Sequence, residues 1–140
     1  MSKRRIVGLV ALALAVSACI GPSLDELVQA ADALAIPTDW EHLEEETADR
    51  PCLDPVEDCP NVALTYRVPG ETSFGAATTQ VFESGGFTVW KPASARCTPS
   101  PEKGCGVSAR LDGVSAQAIV VDVEPASYIV TLRFSEYVGP

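Results

Sequence analysis

The first nineteen residues constrain this chain most, because they determine the compartment in which the rest must fold. A basic head at residues 3–5 precedes an unbroken apolar run of eleven residues, 6–16, and small residues then lead to Cys19. As a helix this run would rise about 16 Å, roughly half the thickness of the hydrocarbon layer, so it is too short to span a membrane. Charge, apolar run and small residues in this order are typical of a secretory signal peptide. We therefore expect residues 1–18 to be removed and the remainder to fold outside the cytoplasm.

The end of this run, Val16-Ser17-Ala18-Cys19, resembles the lipobox of bacterial lipoproteins. In that family the cysteine thiol receives a diacylglycerol, and cleavage leaves the lipidated cysteine as the first residue. The resemblance implies that Cys19 carries a lipid that anchors the protein to the cell membrane, on its extracytoplasmic side. Each buried methylene contributes about 0.8 kcal/mol, so two acyl chains hold a protein where one does not. The alternative is an ordinary secreted protein cleaved after Ala18, which leaves one of the five cysteines without a role.

The acidity of the chain excludes some partners. The formal net charge is −9, and removal of the three signal-peptide cations leaves −12 on residues 19–140. Such a charge argues against nucleic acid as a partner and against electrostatic attraction to anionic headgroups. It is compatible with a domain that a lipid alone holds at the membrane.

The segment after the cleavage site predicts one helix. Ser23 and Glu26 have the spacing of a capping box. Apolar residues recur at helical spacing over residues 24–35, and Pro37 ends the pattern. Residues 19–38 are therefore assigned to a lipidated terminus, a tether and an amphipathic helix. The apolar stripe favours a helix that packs on the domain, and the alternative is a spacer at the membrane surface.

Residues 39–140 predict a single α+β domain. We expect a mostly antiparallel sheet of five or six strands, covered on one face by one helix at residues 72–84. Asp112-Gly113 is a hairpin-type turn, so the last three strands form an antiparallel meander. Within it, Ile119, Val121 and Val123 alternate with other residues and are expected to belong to its apolar face. The expected strands lie near residues 40–47, 62–68, 87–90, 107–111, 119–123 and 128–134.

The face of the sheet that the helix leaves uncovered is a candidate binding surface. An exposed tryptophan among arginines is typical of a recognition surface, although an ordinary solvated face has the same composition once the tryptophan lies under a loop. The residues that alternation assigns to this face are Thr65, Arg67, Thr88, Trp90, Arg110, Thr131 and Arg133.

Four cysteines remain after Cys19, and an even number in an exported chain predicts two disulfides with three connectivities. We favour Cys52–Cys59 and Cys97–Cys105, because each pair brackets a short loop. The gaps do not match a zinc knuckle and no histidine is near, so no metal site is expected. The Cys-x-x-Cys spacing of a thioredoxin-like redox pair is also absent.

The sequence predicts no catalytic residue and no cofactor. The one histidine, His42, lies in an acidic stretch, and no Gly-x-Ser-x-Gly motif presents a serine for a triad. The acids of residues 39–58 form no Asp-x-Asp-x-Asp-Gly calcium loop and have mostly polar neighbours, which is typical of a solvated face. The alternative is a small envelope hydrolase that uses acidic residues of this stretch, with His42 and Glu44 as the residues to test.

The whole plan resembles a group of uncharacterised actinobacterial lipoproteins. The matching features are the lipobox at Cys19, the segment 36–40, a Cys59-Pro60 pair that leads into a strand, a helix ending in Gly85-Gly86, and the cysteine loop before the terminal strands. The resemblance implies location and fold and assigns no site residue. The function expected from it is a non-catalytic binding or envelope-accessory module with an unidentified envelope protein as partner, and an inhibitor of a secreted enzyme is one form of this.

Overall fold

The computed structural model describes residues 21–49, 60–94, 97–99 and 105–137, and the α+β prediction is confirmed. The signal peptide, Cys19 and the expected Cys52–Cys59 bridge lie outside these residues. Within them, no helix is long and apolar enough to cross a membrane. The elements are α1 (Leu24–Asp32), β1 (Glu41–Ala48), β2 (Asn61–Pro69), α2 (Phe74–Ser84), β3 (Thr88–Lys91), β4 (Gly106–Leu111), β5 (Val114–Val123) and β6 (Ser127–Glu136).

The six strands form one sheet in the order β1-β2-β6-β5-β4-β3, and every neighbouring pair is antiparallel. Strands β3 to β6 are consecutive hairpins, as the meander prediction requires. Helix α2 carries the chain from β2 to β3, which is the far edge of the sheet. The two edges are therefore β1 and β3, and β6 and β5 lie at the centre.

Helix α1 begins with the expected capping box. The Ser23 hydroxyl accepts a hydrogen bond from the Glu26 N–H at 3.3 Å, and the Glu26 carboxylate accepts one from the Ser23 N–H at 3.1 Å. The helix ends at Asp32, three residues earlier than the periodicity predicts. Leu27 and Ala31 are buried in the core, so α1 packs on the sheet and is not a free spacer.

Both helices cover the same face of the sheet, whereas one covering helix was expected. Helix α2 buries Phe74, Val81 and Phe82 against the sheet. The two helices meet where the Ala35 N–H, just after α1, donates to the Ser84 hydroxyl at 2.9 Å. A sheet of six strands is wider than one helix of about 10 Å diameter, so a second helix is needed to cover the apolar side chains of β2 and β6.

The core lies between the helices and the inward side chains of the central strands. Phe134 is fully buried, and its ring lies 6.4 Å from that of Phe82 and 5.9 Å from that of Phe87. Aromatic edges and faces at such separations add about 0.5–1.5 kcal/mol per pair beyond the area they bury. The inward residues of β2 and β6 are Val62, Leu64, Tyr66, Val68, Tyr128, Val130, Leu132 and Phe134.

The prediction of which side chains of β5 point into the core is wrong. Ile119, Val121 and Val123 are 42, 43 and 45% exposed, and the neighbouring positions Ala118 and Val120 are buried instead. The cause is the tight turn at Asp112-Gly113, where both residues have positive φ and Leu111 pairs with Val114. Val114 points inward with Leu111, so every second residue after it also points inward. The inward residues of β5 are Val114, Ala116, Ala118 and Val120.

The Cys97–Cys105 disulfide is confirmed. It joins residues eight apart in sequence, with the two Cα atoms at 5.7 Å. By loop entropy such a bridge stabilises the fold by about 2–3 kcal/mol. It fastens the chain that leads into β4, where the Cys105 carbonyl accepts a hydrogen bond from the Val120 N–H of β5.

Candidate functional site

The face of the sheet opposite the two helices, which we call the open face, holds most of the residues predicted as a binding surface. The pairing register carries one face across the sheet, since Thr65 pairs with Thr131 and Arg133 pairs with Gln117. No element among the described residues covers this face. The predicted residues that the register brings together on it are Thr65, Arg67, Thr88, Arg110, Thr131 and Arg133.

Arg67 is committed to two carboxylates of its own chain. Its guanidinium donates to Glu124 at 3.0 Å and to Glu41 at 2.6 Å. The hydrogen bond to Glu124, followed by that to Glu41, raises the pKa of the Arg67 guanidinium further above its ordinary value. The same bond, assisted by the Ser127 hydroxyl at 2.7 Å, lowers the pKa of Glu124. Arg67 therefore ties β1 to the turn before β6 and is not an unpaired cation for a ligand.

Arg110 is also partly engaged. Its guanidinium lies 5.7 Å from the centre of the Tyr137 ring, and one of its nitrogens donates to the Tyr137 hydroxyl at 3.4 Å. A cation over an aromatic face at an exposed site contributes about 0.5–1 kcal/mol. This contact leaves the arginine exposed on β4, beside the β3 edge of the sheet.

Arg133 is the arginine that remains available. It is exposed at the middle of the open face and forms no ion pair with another described residue. The nearest polar pair on the neighbouring row, Thr65 and Thr131, share a hydrogen bond of 3.1 Å between their hydroxyls. This part of the open face therefore combines a cation that has no ion-pair partner in the described ranges with hydroxyl groups.

Trp90 stands at the edge of the sheet and is 52% exposed. It occupies the irregularity in the β3–β4 register, between Val89, which pairs with Ala109, and Lys91, which pairs with Ser108. Bulges at sheet edges commonly redirect a side chain out of the regular alternation. An indole that remains half-exposed beside two strands is available for contact with another molecule.

Sequence reasoning missed the apolar centre of the open face. Ile119 lies on the same row as Thr131, and Ile129, which is half-buried, lies on the row of Arg67. The exposed Val121 follows in the bulge after Val120. The sequence did contain a signal for this apolar group. Alternation counted from the Asp112-Gly113 turn places the odd-numbered residues of β5, up to Ile119, on the open face.

The residues of the hydrolase alternative do not meet. His42 pairs with Tyr66, which points toward the helices, and its ring lies 5.3 Å from the tyrosine ring. Glu44 pairs with Thr65, which points to the open face, because the register of β1 shifts between them. The two side chains therefore belong to opposite faces. Among the described residues, no group of three or more His, Cys, Asp or Glu is arranged to hold a metal ion.

A cleft lies on the helical side, beside the chain between α1 and β1. Its volume is about 310 Å³, and Trp40, which is buried against Tyr66 with ring centres 6.0 Å apart, forms part of its wall. Asp39 supplies its one carboxylate. A single exposed carboxylate with mostly apolar neighbours does not constitute an acid and base pair.

No protein family, curated protein or solved structure matches this chain.

Proposed function

We propose that this protein is a lipid-anchored extracytoplasmic lipoprotein that acts by binding another protein chain through the open face of its sheet, without catalysis. The observation that supports this most is the exposed apolar group Ile119 and Val121, 42 and 43% accessible, at the centre of a six-stranded sheet face that no other described element covers. Large aliphatic side chains at the centre of a polar face are the usual composition of a protein interface.

The surroundings of this apolar group support the same function. Polar and charged residues encircle it, with the Thr65–Thr131 hydroxyl pair on one side and Arg133 on another. Trp90 is half-exposed at the rim, and tryptophan and arginine are the residues most enriched at the energetic centres of interfaces. A face that had only to be solvated would gain nothing from an isoleucine, a valine and a tryptophan in contact with water.

The geometry of the N-terminus supports an anchor close to the domain. Gly21 lies against the Glu136 carboxylate at the end of β6, and the surface around it is formed by Ser23, the turn at Asp112-Gly113 and Tyr137. Cys19 is two residues before Gly21. A lipid on Cys19 would therefore hold this end of the sheet next to the bilayer and leave the strands directed away from it.

A hydrolase has less support. His42 and Glu44 belong to opposite faces of β1, and a general acid and its base must both reach the reacting bond. No observation on the described residues favours this alternative.

Photo-crosslinking in intact cells tests the proposal. A photo-reactive amino acid replaces Gln117, which is exposed on the open face, in the full-length chain. We expect a covalent adduct of higher mass on illumination. The matched control carries the same amino acid at Glu83, which is exposed on α2. An adduct at Gln117 and none at Glu83 is the expected result, and no adduct at Gln117, or equal adducts at both, would contradict binding through the open face.

A further inference from the structure

We propose that the partner bound by the open face is a second copy of this chain, in a face-to-face dimer whose two-fold axis runs parallel to the strands. This rests on the proposed function, because it takes the open face as a binding surface and uses the lipid on Cys19 in one of its arguments.

The charges on the open face change sign from one edge of the sheet to the other. Strand β1 presents Glu44 and Glu46 at the outer edge. The opposite edge presents Lys91 on β3, with Arg110 on the adjacent β4. Among the described residues, Glu44, Glu46 and Lys91 form no ion pair. The open face thus has an acidic margin and a basic margin with the apolar group between them.

A two-fold axis parallel to the strands, between β6 and β5, brings unlike margins together. In the order β1-β2-β6-β5-β4-β3 this rotation places β1 of one copy over β3 of the other and β6 over β5. Glu46 and Lys91 lie on the same row of paired residues, so each Glu46 faces the partner copy's Lys91. Sheets pack about 10 Å apart, a gap that a glutamate and a lysine can span together at the rim.

The other in-plane axis, perpendicular to the strands, is disfavoured twice. It would place the acidic β1 of one copy over β1 of the other, and like charges opposed across an interface oppose association. It would also turn one copy end over end, so that the two Gly21 termini would lie at opposite ends of the dimer. An axis parallel to the strands keeps both termini at one end, where two lipids on Cys19 can enter the same membrane.

The area of the open face is sufficient for a specific interface. Six strands are separated by five spacings of about 4.8 Å, and about seven residues of about 3.4 Å lie along each strand, so the face covers about 570 Å² per copy. Two copies would bury about 1,100 Å², just above the roughly 1,000 Å² expected of a specific complex. The net charge of each chain is strongly negative, but at physiological salt charges more than about 8 Å apart are largely screened. The local Glu46–Lys91 contacts therefore decide the register of the two copies.

The test is the oligomeric state of the full-length protein, purified in detergent and measured by sedimentation and native mass spectrometry. We expect a dimer for the natural chain. Glu46→Lys and Lys91→Glu, each alone, should weaken dimerisation by about tenfold or more, since each opposes like charges at two symmetric contacts. The double variant Glu46→Lys/Lys91→Glu restores unlike pairs, so its dimerisation should return to within about threefold of the natural chain. Glu83→Lys on α2, with the same change of charge away from the open face, is the matched control and should dimerise normally.

Each outcome has a defined meaning. A monomeric natural chain, or a double variant as weak as the single ones, would overturn the dimer. If the natural chain is monomeric while the photo-reactive group at Gln117 captures a different protein, the dimer is wrong and the proposed function stands. If Gln117 gives an adduct of twice the chain mass whose peptides all come from this protein, the dimer is supported. Absence of both a dimer and an adduct would contradict both proposals.

Discussion

Glu46 and Lys91 stand at opposite ends of one row of paired residues that crosses all six strands of the sheet. The row runs Glu46, Ala63, Arg133, Gln117, Ser108, Lys91. Its acidic and basic ends are about 24 Å apart by strand spacing, too far for the two side chains to pair within one chain. Two complementary charges that cannot meet within one molecule can be paired between two molecules, as the proposed dimer requires.

The inward face of β5 can be tested by a pair of neighbouring substitutions. Ala118→Leu should destabilise the protein by about 1–3 kcal/mol, because Ala118 is fully buried under the helices and the larger side chain has no room. Ile119→Ala should change the free energy of unfolding of the monomer by no more than about 0.5 kcal/mol, because Ile119 is exposed. Chemical denaturation at low protein concentration measures both. The reverse order of effects would contradict the register of β5.

Ionisation of Tyr128 should account for much of the loss of folding stability at alkaline pH. Its ring is buried against Phe74 and its hydroxyl donates to the Thr72 carbonyl at 2.8 Å. Burial raises the pKa of Tyr128 to about 12. Because the folded protein holds this proton more tightly than the unfolded chain, the associated stability is present below pH 10, the ordinary tyrosine value, and is lost as pH rises through about 12.

The measurement is the free energy of unfolding between pH 9 and pH 12 for the natural chain and for Tyr128→Phe. The variant should lose about 1–2 kcal/mol at neutral pH, since the Thr72 carbonyl loses its partner. It should also show a weaker decline of stability at high pH. An equally steep decline in both proteins would mean that Tyr128 is not the group responsible.

The ion pair of Arg67 and Glu124 should contribute to the loss of stability at acid pH. The Arg67 hydrogen bond lowers the pKa of Glu124, so the folded state favours the ionised carboxylate. The resulting stability is present above the ordinary carboxyl pKa and is lost as pH falls through the lowered one. Arg67→Gln should therefore reduce the fall in melting temperature between pH 6 and pH 3. The control is Arg133→Gln, since Arg133 forms no ion pair with another described residue, and an equal change in both variants would contradict this role of Arg67.

Peptide mapping without reduction tests the cysteine pairs. We expect one linked peptide containing Cys97 and Cys105 and a second containing Cys52 and Cys59. The double variant Cys97→Ser/Cys105→Ser should lose about 2–3 kcal/mol of stability, because the unfolded chain regains the conformational entropy that the disulfide removes. A peptide that links Cys59 to Cys97 would overturn the pairing.

Local signals were sufficient to predict much of the fold from the sequence. The Ser23–Glu26 capping box and the Asp112-Gly113 turn depend on residues close together in the chain, and both form as expected. The predicted end of α1 is three residues too late, because apolar residues continue at helical spacing after the helix stops at Asp32. The predicted inward face of β5 is wrong because apolar residues occupy both the odd and the even positions of this strand, and side-chain size alone favours Ile119 over Ala118 for the core.

Long-range contacts explain what the sequence could not reveal about the site. Arg67 looked like a free binding residue, but its partners Glu124 and Glu41 are 57 and 26 residues away in sequence. His42 and Glu44 lie on opposite faces of β1 because the register shifts between them, and no residue pattern in the sequence predicts this shift. Strand order also cannot be read from the chain, because α2 carries the chain from β2 past three strands to β3 at the far edge. The charge gradient of the open face is visible only once that order is known.

The most direct test of the central claim is the mass of the N-terminal peptide of the mature protein, extracted from membranes. If the protein is lipid-anchored, this peptide begins at Cys19 and carries a diacylglycerol. The Cys19→Ala variant should then be found in the medium instead of the membrane fraction. A peptide that begins at Cys19 without added mass, or a Cys19→Ala variant that stays with the membrane, would contradict the anchor and with it the same-membrane argument for the dimer.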